Sequence, residues 1–373
     1  MYIHQEKDWP HFVYSLDRVS NLLQEIRFNQ GKLLGKMEGV GFEMQDEANI
    51  KTLTLDVVKS SEIEGELLNS DQVRSSLARK LGMTIPEFVP SDRNVDGIVE
   101  IMIDATQKFL NPLTAERMFG WHGALFPTGR SGLYKIVSGN WRKNEKDSPM
   151  QVVSGVIGKE RVHFEAPDSV TLKHEMALFI EWFNNENSLD PILKAAISHL
   201  WFVTIHPFDD GNGRIARAIS DMQLARSDKS NQRFYSMSAQ IRVERNGYYN
   251  ILEKTQRGNL DITEWIIWFL ECLGRSIRAS EEILSVVLQK ASFWDKHSSL
   301  NLNERQRMMI NKLFDGFEGK LNSSKWAQIT KRSSDTALRD IEDLIDKGIL
   351  VKEDGGGRST SYVLFSGNKR GDC

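Results

Sequence analysis

The sequence predicts a mainly α-helical protein with one short patch of β structure near its middle and another at its C-terminal end. Three observations carry this. Apolar residues recur at helical spacing through most of the chain, as in SLDRVSNLLQEIRFNQGKLLGKM with Val19, Leu22, Leu23 and Ile26 along one side. Between about 134 and 165 the pattern changes to β-branched residues and glycines, in YKIVSGNWRK and MQVVSGVIGKERVHFEAP, which is hairpin chemistry. Beyond residue 300 three helical patterns precede VKEDGGGRSTSYVLF, two strand-like runs about a glycine turn.

Taken in order, residues 1–90 read as an N-terminal helical domain. The glycines at 39 and 41 end its first long helix, and a second follows. Trp9 is assigned to packing. IPEFVPSD, with Pro86 and Pro90, reads as a linker. Residues 91–290 read as a core domain. Its helices are DGIVEIMIDATQKFLNPL, ERMFGWHGALFP, the largely apolar ILKAAISHLWFVTI, RIARAISDMQLAR with Ile215, Ile219 and Met222 on one face, and the long LDITEWIIWFLECLGRSIRASEEILSVV. Trp265 and Trp268 fall on the wide apolar face of the last. Residues 300–373 read as a separate domain.

Composition narrows the class. The chain has 373 residues, 40% of them hydrophobic, which suits a globular protein with a real core. A net charge of −3 does not by itself demand nucleic acid or an anionic membrane. The two cysteines, Cys272 in an apolar helical stretch and Cys373 at the end, make no disulfide framework. The polar start MYIHQEKDWP has no signal-peptide core, and no apolar run approaches a membrane span. A cytoplasmic protein without a membrane anchor is expected.

The richest chemistry lies in HPFDDGNGRIAR, from His206 to Arg217. Pro207 biases His206 away from helical backbone angles. Gly211 and Gly213 permit positive φ and close approach of backbone N–H groups to an anion. The turn opens a helix, whose first N–H groups lack partners and whose dipole favours negative charge. Arg214 and Arg217, three apart, can face the same anion. The alternative is a helix-capping turn beside a buried histidine, which leaves the two arginines and the carboxylate unexplained.

These residues resemble the signature of the Fic family: HPF, any residue, Asp or Glu, GNGR, two residues, Arg. His206, Pro207, Phe208, Asp210, Gly211, Asn212, Gly213, Arg214 and Arg217 match every defined position. The resemblance implies an all-helical core with a β-hairpin flap, and transfer of AMP from ATP to a Ser, Thr or Tyr hydroxyl of a target protein, self-modification included, with release of pyrophosphate. It implies that His206 is the general base, Asp210 the ligand of Mg2+, and Gly211, Asn212 and Gly213 the anion nest. Arg214 would hold the outer phosphates and Arg217 the γ-phosphate. Asp209 occupies the variable position and receives no direct role. The opening around Trp9 and Pro10 is similar to a domain often fused to bacterial Fic cores.

A second motif lies upstream. Ser60, Glu64 and Gly65 in KSSEIEGE fit Ser-x-x-x-Glu-Gly, which resembles the inhibitory motif of Fic proteins that carry it N-terminal to the core. The resemblance implies that Glu64 pairs with Arg217, and a bidentate carboxylate–guanidinium contact would be strong. The plainer alternative is a capping box formed by Ser61 and Glu64 at a helix start.

The remaining expectations follow from the same likeness. The flap spans roughly 150–162 and would dock an extended target segment by strand addition. The family's tryptophan-containing flap motif and double proline are replaced by VVSG and Ala166-Pro167. Tyr248 and Tyr249 match a position that closes over adenine, or are plain core or surface tyrosines. His199, His122 and His174 are read as satisfied core histidines rather than metal ligands. The C-terminal pattern resembles a winged helix-turn-helix, with Ser333, Ser334 and Thr336 opening the recognition helix, Arg339 on its exposed face and Arg358 on the wing. Asp340, Glu342, Asp343 and Asp346 crowd that helix, so dimerisation or target docking is favoured over DNA binding. The subclass often forms homodimers. The alternatives are a DNA-binding regulator that senses nucleotide, or a Fic enzyme that transfers or removes another phosphoryl-linked group.

Overall fold

A computed structural model describes the chain except residues 86–87, 144–147, 156–158, 315–316, 318, 354–359 and 366–373, and the side chains of 282 and 283. It divides into two compact units, residues 1–283 and 284–373.

In the first unit a short 3-10 turn (Ile3–Gln5) precedes α1 (Leu16–Glu38) and α2 (Phe42–Ile63). The break falls where the glycines at 39 and 41 interrupt the helical pattern. The next helices begin at side chains suited to cap them. Asn69 caps α3 (Ser70–Leu81), Asp92 caps α4 (Arg93–Gln107) and Thr114 caps α5 (Ala115–Leu125). Two antiparallel hairpins follow: β1 (Arg130–Ser131) with β2 (Tyr134–Lys135), and β3 (Gln151–Ser154) with β4 (Arg161–Glu165). Then come α6 (Leu172–Asn185), α7 (Pro191–Ile205), α8 (Asn212–Asp228), α9 (Met237–Val243), α10 (Arg245–Gln256) and α11 (Thr263–Lys296), whose residues after 283 belong to the second unit.

The centre of this unit is the pair α7 and α8. Every residue of α7 from Ile192 to Ile205 is buried. Of α8, Ile215, Ile219 and Met222 are buried as their spacing predicts, but so is almost the whole helix, including Arg214, Arg217, Asp221 and Gln223. The polar residues on its other faces are matched instead of solvated. Arg233 reaches the Asp221 carboxylate at 2.9 Å, while its backbone N–H donates to Asn49 of α2 at 2.8 Å. Asp56 of α2 accepts from the N–H of Ser238 at 3.2 Å and from the Ser236 hydroxyl. Burial beside Asp56 pushes the Asp221 carboxyl well above the usual carboxylate range. This buried network fixes α2 against α8, and so places the end of α2 beside the start of α8.

Several expectations change here. Of YKIVSGNWRK only Tyr134–Lys135 is strand, and residues 136–143 run as a loop. That loop is held by the His206–Arg217 segment, so its β-branched and glycine pattern reflects a tied loop. His174 is exposed, not a core histidine. Trp9 packs as expected, against Phe12 and Trp201, with its ring N–H on Glu175 at 2.9 Å. Trp265 is fully buried and donates to the Ala196 carbonyl at 2.8 Å, whereas Trp268 is only half-buried. Cys272 is buried.

In the second unit, α12 (Glu304–Phe314), α13 (Ser323–Thr330) and α14 (Ser334–Asp346) precede the antiparallel pair β5 (Leu350–Lys352) and β6 (Tyr362–Leu364). Trp326, Met309, Ile310, Ile341 and Leu344 form its core. Ser333 caps α14 by accepting from Thr336 N–H, and Arg339 is exposed. Asp340, however, is buried and takes both Nε and Nη2 of Arg305 at 2.7 and 2.8 Å. Asp343 accepts from Lys347 and Gln306. Two of the carboxylates expected to crowd an exposed face are therefore engaged with neighbours. Arg358 and Cys373 lie outside the described residues, as does Pro86 of the linker.

Candidate active site

The site begins where α7 stops. His206 takes a left-handed backbone, φ 51, so the helix ends there with its N–H on the Phe202 carbonyl at 3.0 Å. The Nδ1 atom lies 3.2 Å from the Val203 carbonyl. Since a carbonyl only accepts, Nδ1 carries the proton and Nε2 is left as the acceptor. Burial lowers the imidazole pKa to about 4, with Arg142 nearby acting in the same direction and the Val203 carbonyl opposing. His206 is therefore a neutral base at physiological pH. Arg142 also fixes the backbone: its Nε donates to the His206 carbonyl at 2.7 Å and its Nη2 to the Pro167 carbonyl at 2.5 Å.

The turn that follows is closed by Asn212. Its side-chain oxygen accepts from Phe208 N–H at 3.0 Å and its amide donates to the Phe208 carbonyl at 2.8 Å. The Asn212 side chain is thus spent on shaping the turn, and only its backbone N–H remains for an anion. Gly211 caps α8 with φ 77, and a Cβ there would lie 2.9 Å from the Phe126 ring. Gly211→Ala should therefore collapse the turn. We expect loss of nucleotide binding by isothermal titration with the far-UV helical signal retained.

Asp210 accepts from Gly211 N–H at 2.5 Å through one oxygen and from the Ser131 hydroxyl through the other. Asp209 points elsewhere and accepts from Val137 N–H at 2.8 Å, pinning the 136–143 loop. His122 is buried and stacked on Phe208, with Gly139 N–H on its Nδ1 at 3.0 Å and the Asp210 carbonyl 3.2 Å from its Nε2. It is a satisfied histidine, as expected, but it is also part of the wall that holds Asp210. Ser131, Arg142 and His122 support the site without any sequence pattern of their own. The described residues contain no cluster of three or more His, Cys, Asp or Glu that would cage a metal.

Two arginines on α8 meet the end of α2. That helix closes with Gly65 at φ 88, Gly65 N–H on the Glu62 carbonyl at 3.1 Å and Glu66 N–H on the Ser61 carbonyl at 3.0 Å, a Schellman turn. Ser61 therefore sits in the last turn of α2, which excludes the capping-box alternative at a helix start. Glu64 forms an ion pair with Arg217 Nη1 at 2.8 Å. The contact uses one oxygen and one nitrogen, so it is not bidentate as expected. The other nitrogens of Arg217 donate to the Ser60 hydroxyl at 2.9 Å and the Ser60 carbonyl at 2.8 Å. Gly213 makes this possible, because a Cβ there would collide with the Glu64 carboxylate. Glu66, not anticipated from sequence, meets Arg214 at 2.5 Å. The Arg214 Nε is buried with no hydrogen-bond partner among the described residues, and its guanidinium lies 5.2 Å from the Phe126 ring centre.

The tyrosines divide. Tyr248 is buried with its hydroxyl 2.8 Å from His199 Nε2, while Ser220 meets His199 Nδ1 at 3.0 Å. His199 is thus a satisfied core histidine, and Tyr248 backs the site without lining it. Tyr249 is half-buried, with its hydroxyl 3.4 Å from the Ile63 carbonyl and 3.5 Å from Glu64. The expected flap falls on β3 and β4, with residues 156–158 outside the described set.

Residues 112–224 match the Fic/DOC family, and residues 2–83 match a domain of unknown function, DUF4172. The chain is 31% identical over 179 residues to the protein adenylyltransferase fic-1 of Caenorhabditis briggsae, covering 48% of this chain and 32% of that protein. It is 26% identical over 221 residues to the protein adenylyltransferase Fic of Drosophila mojavensis, covering 58% and 38%. The aligned part thus spans about a third of each relative's own length. A Fic family protein from Desulfovibrio desulfuricans G20 shares the fold at a TM-score of 0.51 and 20% identity, over 95% of this chain and 97% of that one. A Fic domain containing signaling protein from Bacteroides thetaiotaomicron VPI-5482 shares it at 0.50 and 20%, over 74% and 97%. Through the match at 112–224, which contains the whole His206–Arg217 segment, this chain carries a Fic/DOC family domain.

Proposed function

We propose that this protein is an adenylyltransferase that moves AMP from ATP to a hydroxyl of a target protein, and that Glu64 holds it in check. The observation that carries the reading is the placement of Glu64 against both Arg217 and the first turn of α8. The start of that helix is where an anion is stabilised by free N–H groups and the dipole. A terminal phosphate and the Glu64 carboxylate would compete for the same guanidinium and the same helix end.

In the transfer, the acceptor hydroxyl loses its proton to His206 Nε2 as its oxygen bonds to the α-phosphorus, and pyrophosphate departs. Arg214 and Arg217 stabilise the phosphate charge, which is most of what such a reaction asks of a protein. Asp210 is the residue suited to hold Mg2+, which favours few carboxylates and completes its shell with phosphate and water oxygens. The magnesium would supply charge neutralisation. Asp210→Ala should remove most activity and raise the magnesium concentration needed for half-maximal rate. An unchanged magnesium titration would assign the metal to other ligands.

The lowered pKa of His206 makes a further demand. A base with pKa about 4 in the free enzyme is protonated, and idle, only below that pH. The acid limb of kcat/KM should therefore lie well below the ordinary histidine value, leaving the profile flat from roughly pH 6 to 8. A half-loss of kcat/KM near pH 6.5 would contradict the environment described for His206. The reading as a whole is tested by incubating the chain with magnesium and ATP labelled at the α-phosphate. Label on protein supports transfer, and nucleotide binding without labelling would favour sensing.

A further inference from the structure

The carboxylate suited to hold magnesium is itself held, at both ends of its residue. The backbone of Asp210 is fixed by His122. Gly139 N–H occupies Nδ1 of that ring, so Nε2 carries the proton and faces the Asp210 carbonyl at 3.2 Å. His122 thus sets where Asp210 stands, and what is left to set is the rotation of its side chain. One carboxylate oxygen accepts from the N–H of Gly211, the next residue along, a bond that comes with the turn. The other accepts from the Ser131 hydroxyl, 79 residues away in the chain. A carboxylate has about four lone-pair sites, so one bond to each oxygen leaves both able to meet a cation.

Ser131 reaches Asp210 from the end of β1. Its partner across the hairpin is Tyr134, so the loop between them is Gly132 and Leu133, and Gly132 takes φ 54. A glycine first in a two-residue hairpin loop is what such a turn asks for. The plainer role for the hydroxyl is to anchor the hairpin. The hairpin and the loop behind it are anchored without it. Ile136 N–H donates to the Gly129 carbonyl at 3.0 Å, Val137 N–H to Asp209 at 2.8 Å and the Ser138 hydroxyl to the Phe126 carbonyl at 3.0 Å. None of these touches the Asp210 side chain. The Ser131 hydroxyl is therefore surplus to the hairpin and falls to the carboxylate.

We infer that Ser131 is a positioning residue for the metal, its hydroxyl holding the Asp210 carboxylate in the orientation that receives Mg2+; this rests on the reading of Asp210 as the magnesium ligand. A hydrogen bond behind a ligating carboxylate removes a rotation that binding would otherwise have to freeze. Losing such a partner costs roughly 10–100-fold in metal affinity.

The test separates metal dependence from turnover. ATP binding to the full chain carrying Glu64→Ala, which frees Arg217, is measured by calorimetry in excess EDTA and again in excess magnesium. The gain in affinity that magnesium brings is compared for this parent and for Ser131→Ala, Ser131→Thr and Asp210→Ala added to it. Ser131→Ala should cut the gain roughly tenfold, the lower side of what such a partner supplies, and leave the affinity in EDTA unmoved. Ser131→Thr keeps a hydroxyl and should keep the gain. A full gain in Ser131→Ala, with the gain lost in Asp210→Ala, overturns the inference and leaves Asp210 as the ligand. A larger gain in Ser131→Ala also overturns it, because the hydroxyl would then compete with the metal. Equal weakening with and without magnesium overturns it too, since the hydroxyl would then shape the turn. A gain indifferent to Asp210→Ala removes the reading of Asp210, and this inference with it.

Discussion

Glu64→Ala should raise protein adenylylation by at least roughly tenfold, a change that needs only about 1.4 kcal/mol at the transition state. Glu64 meets Arg217 through a single N···O contact at 2.8 Å, and the Arg217 side chain is only 3% exposed. Removing the carboxylate leaves a buried guanidinium with two bonds to Ser60 and a free Nη1 directed at the start of α8. A charged partner is worth most to such a group, and the γ-phosphate is the partner the substrate brings. Glu64→Gly should behave alike, because the residue caps α2 outside its hydrogen-bonded interior and glycine is tolerated there. Adding Arg217→Ala should abolish the gain; a gain that survives it would mean that relief acts elsewhere. Glu66→Ala should add at most about fivefold, since its pair with Arg214 is half exposed and such pairs rarely exceed about 1 kcal/mol.

His206→Ala should cost ~10²–10⁴ in transfer rate and leave ATP affinity nearly unchanged. The imidazole is held by the Val203 carbonyl and its backbone by Arg142, and neither contact involves the arginines or the turn that would hold phosphate. The paired measurement is labelling rate against nucleotide binding by calorimetry, in the Glu64→Ala background so that the loss is visible. If binding falls with activity, His206 shapes the turn and is more than a base. Full activity would remove it from the chemistry.

The first-rank residues were legible because a short segment carries them. His206, Asp210, the glycines and both arginines lie within twelve residues, and their backbone demands are local. The helix α7 could be read as buried because its residues are largely apolar. Helix α8 is harder: Ile215, Ile219 and Met222 announce one buried face, but its polar faces are buried too. Their partners, Arg233, Asp56 and Ser60, come from distant parts of the chain, and no periodicity reports that. Arg142, Ser131 and His122 were invisible as site residues for the same reason. Each touches the motif through backbone atoms or one hydroxyl, contacts set by tertiary placement. Glu66, two residues from Glu64, carries no signal in the sequence, because only the Schellman turn at Gly65 brings both carboxylates to α8. Tyr248 and Tyr249, adjacent in sequence, separate into a buried and a half-exposed ring, a distinction set by helix rotation against His199.

The account rests on transfer of AMP restrained by Glu64, and intact mass spectrometry reads both parts at once. Wild type and Glu64→Gly are incubated with magnesium and ATP and their masses followed with time. The account predicts added AMP units on the variant, appearing at least roughly tenfold faster than on wild type and absent when His206→Ala is combined with it. Equal rates for wild type and Glu64→Gly, or an added mass other than AMP, would contradict it.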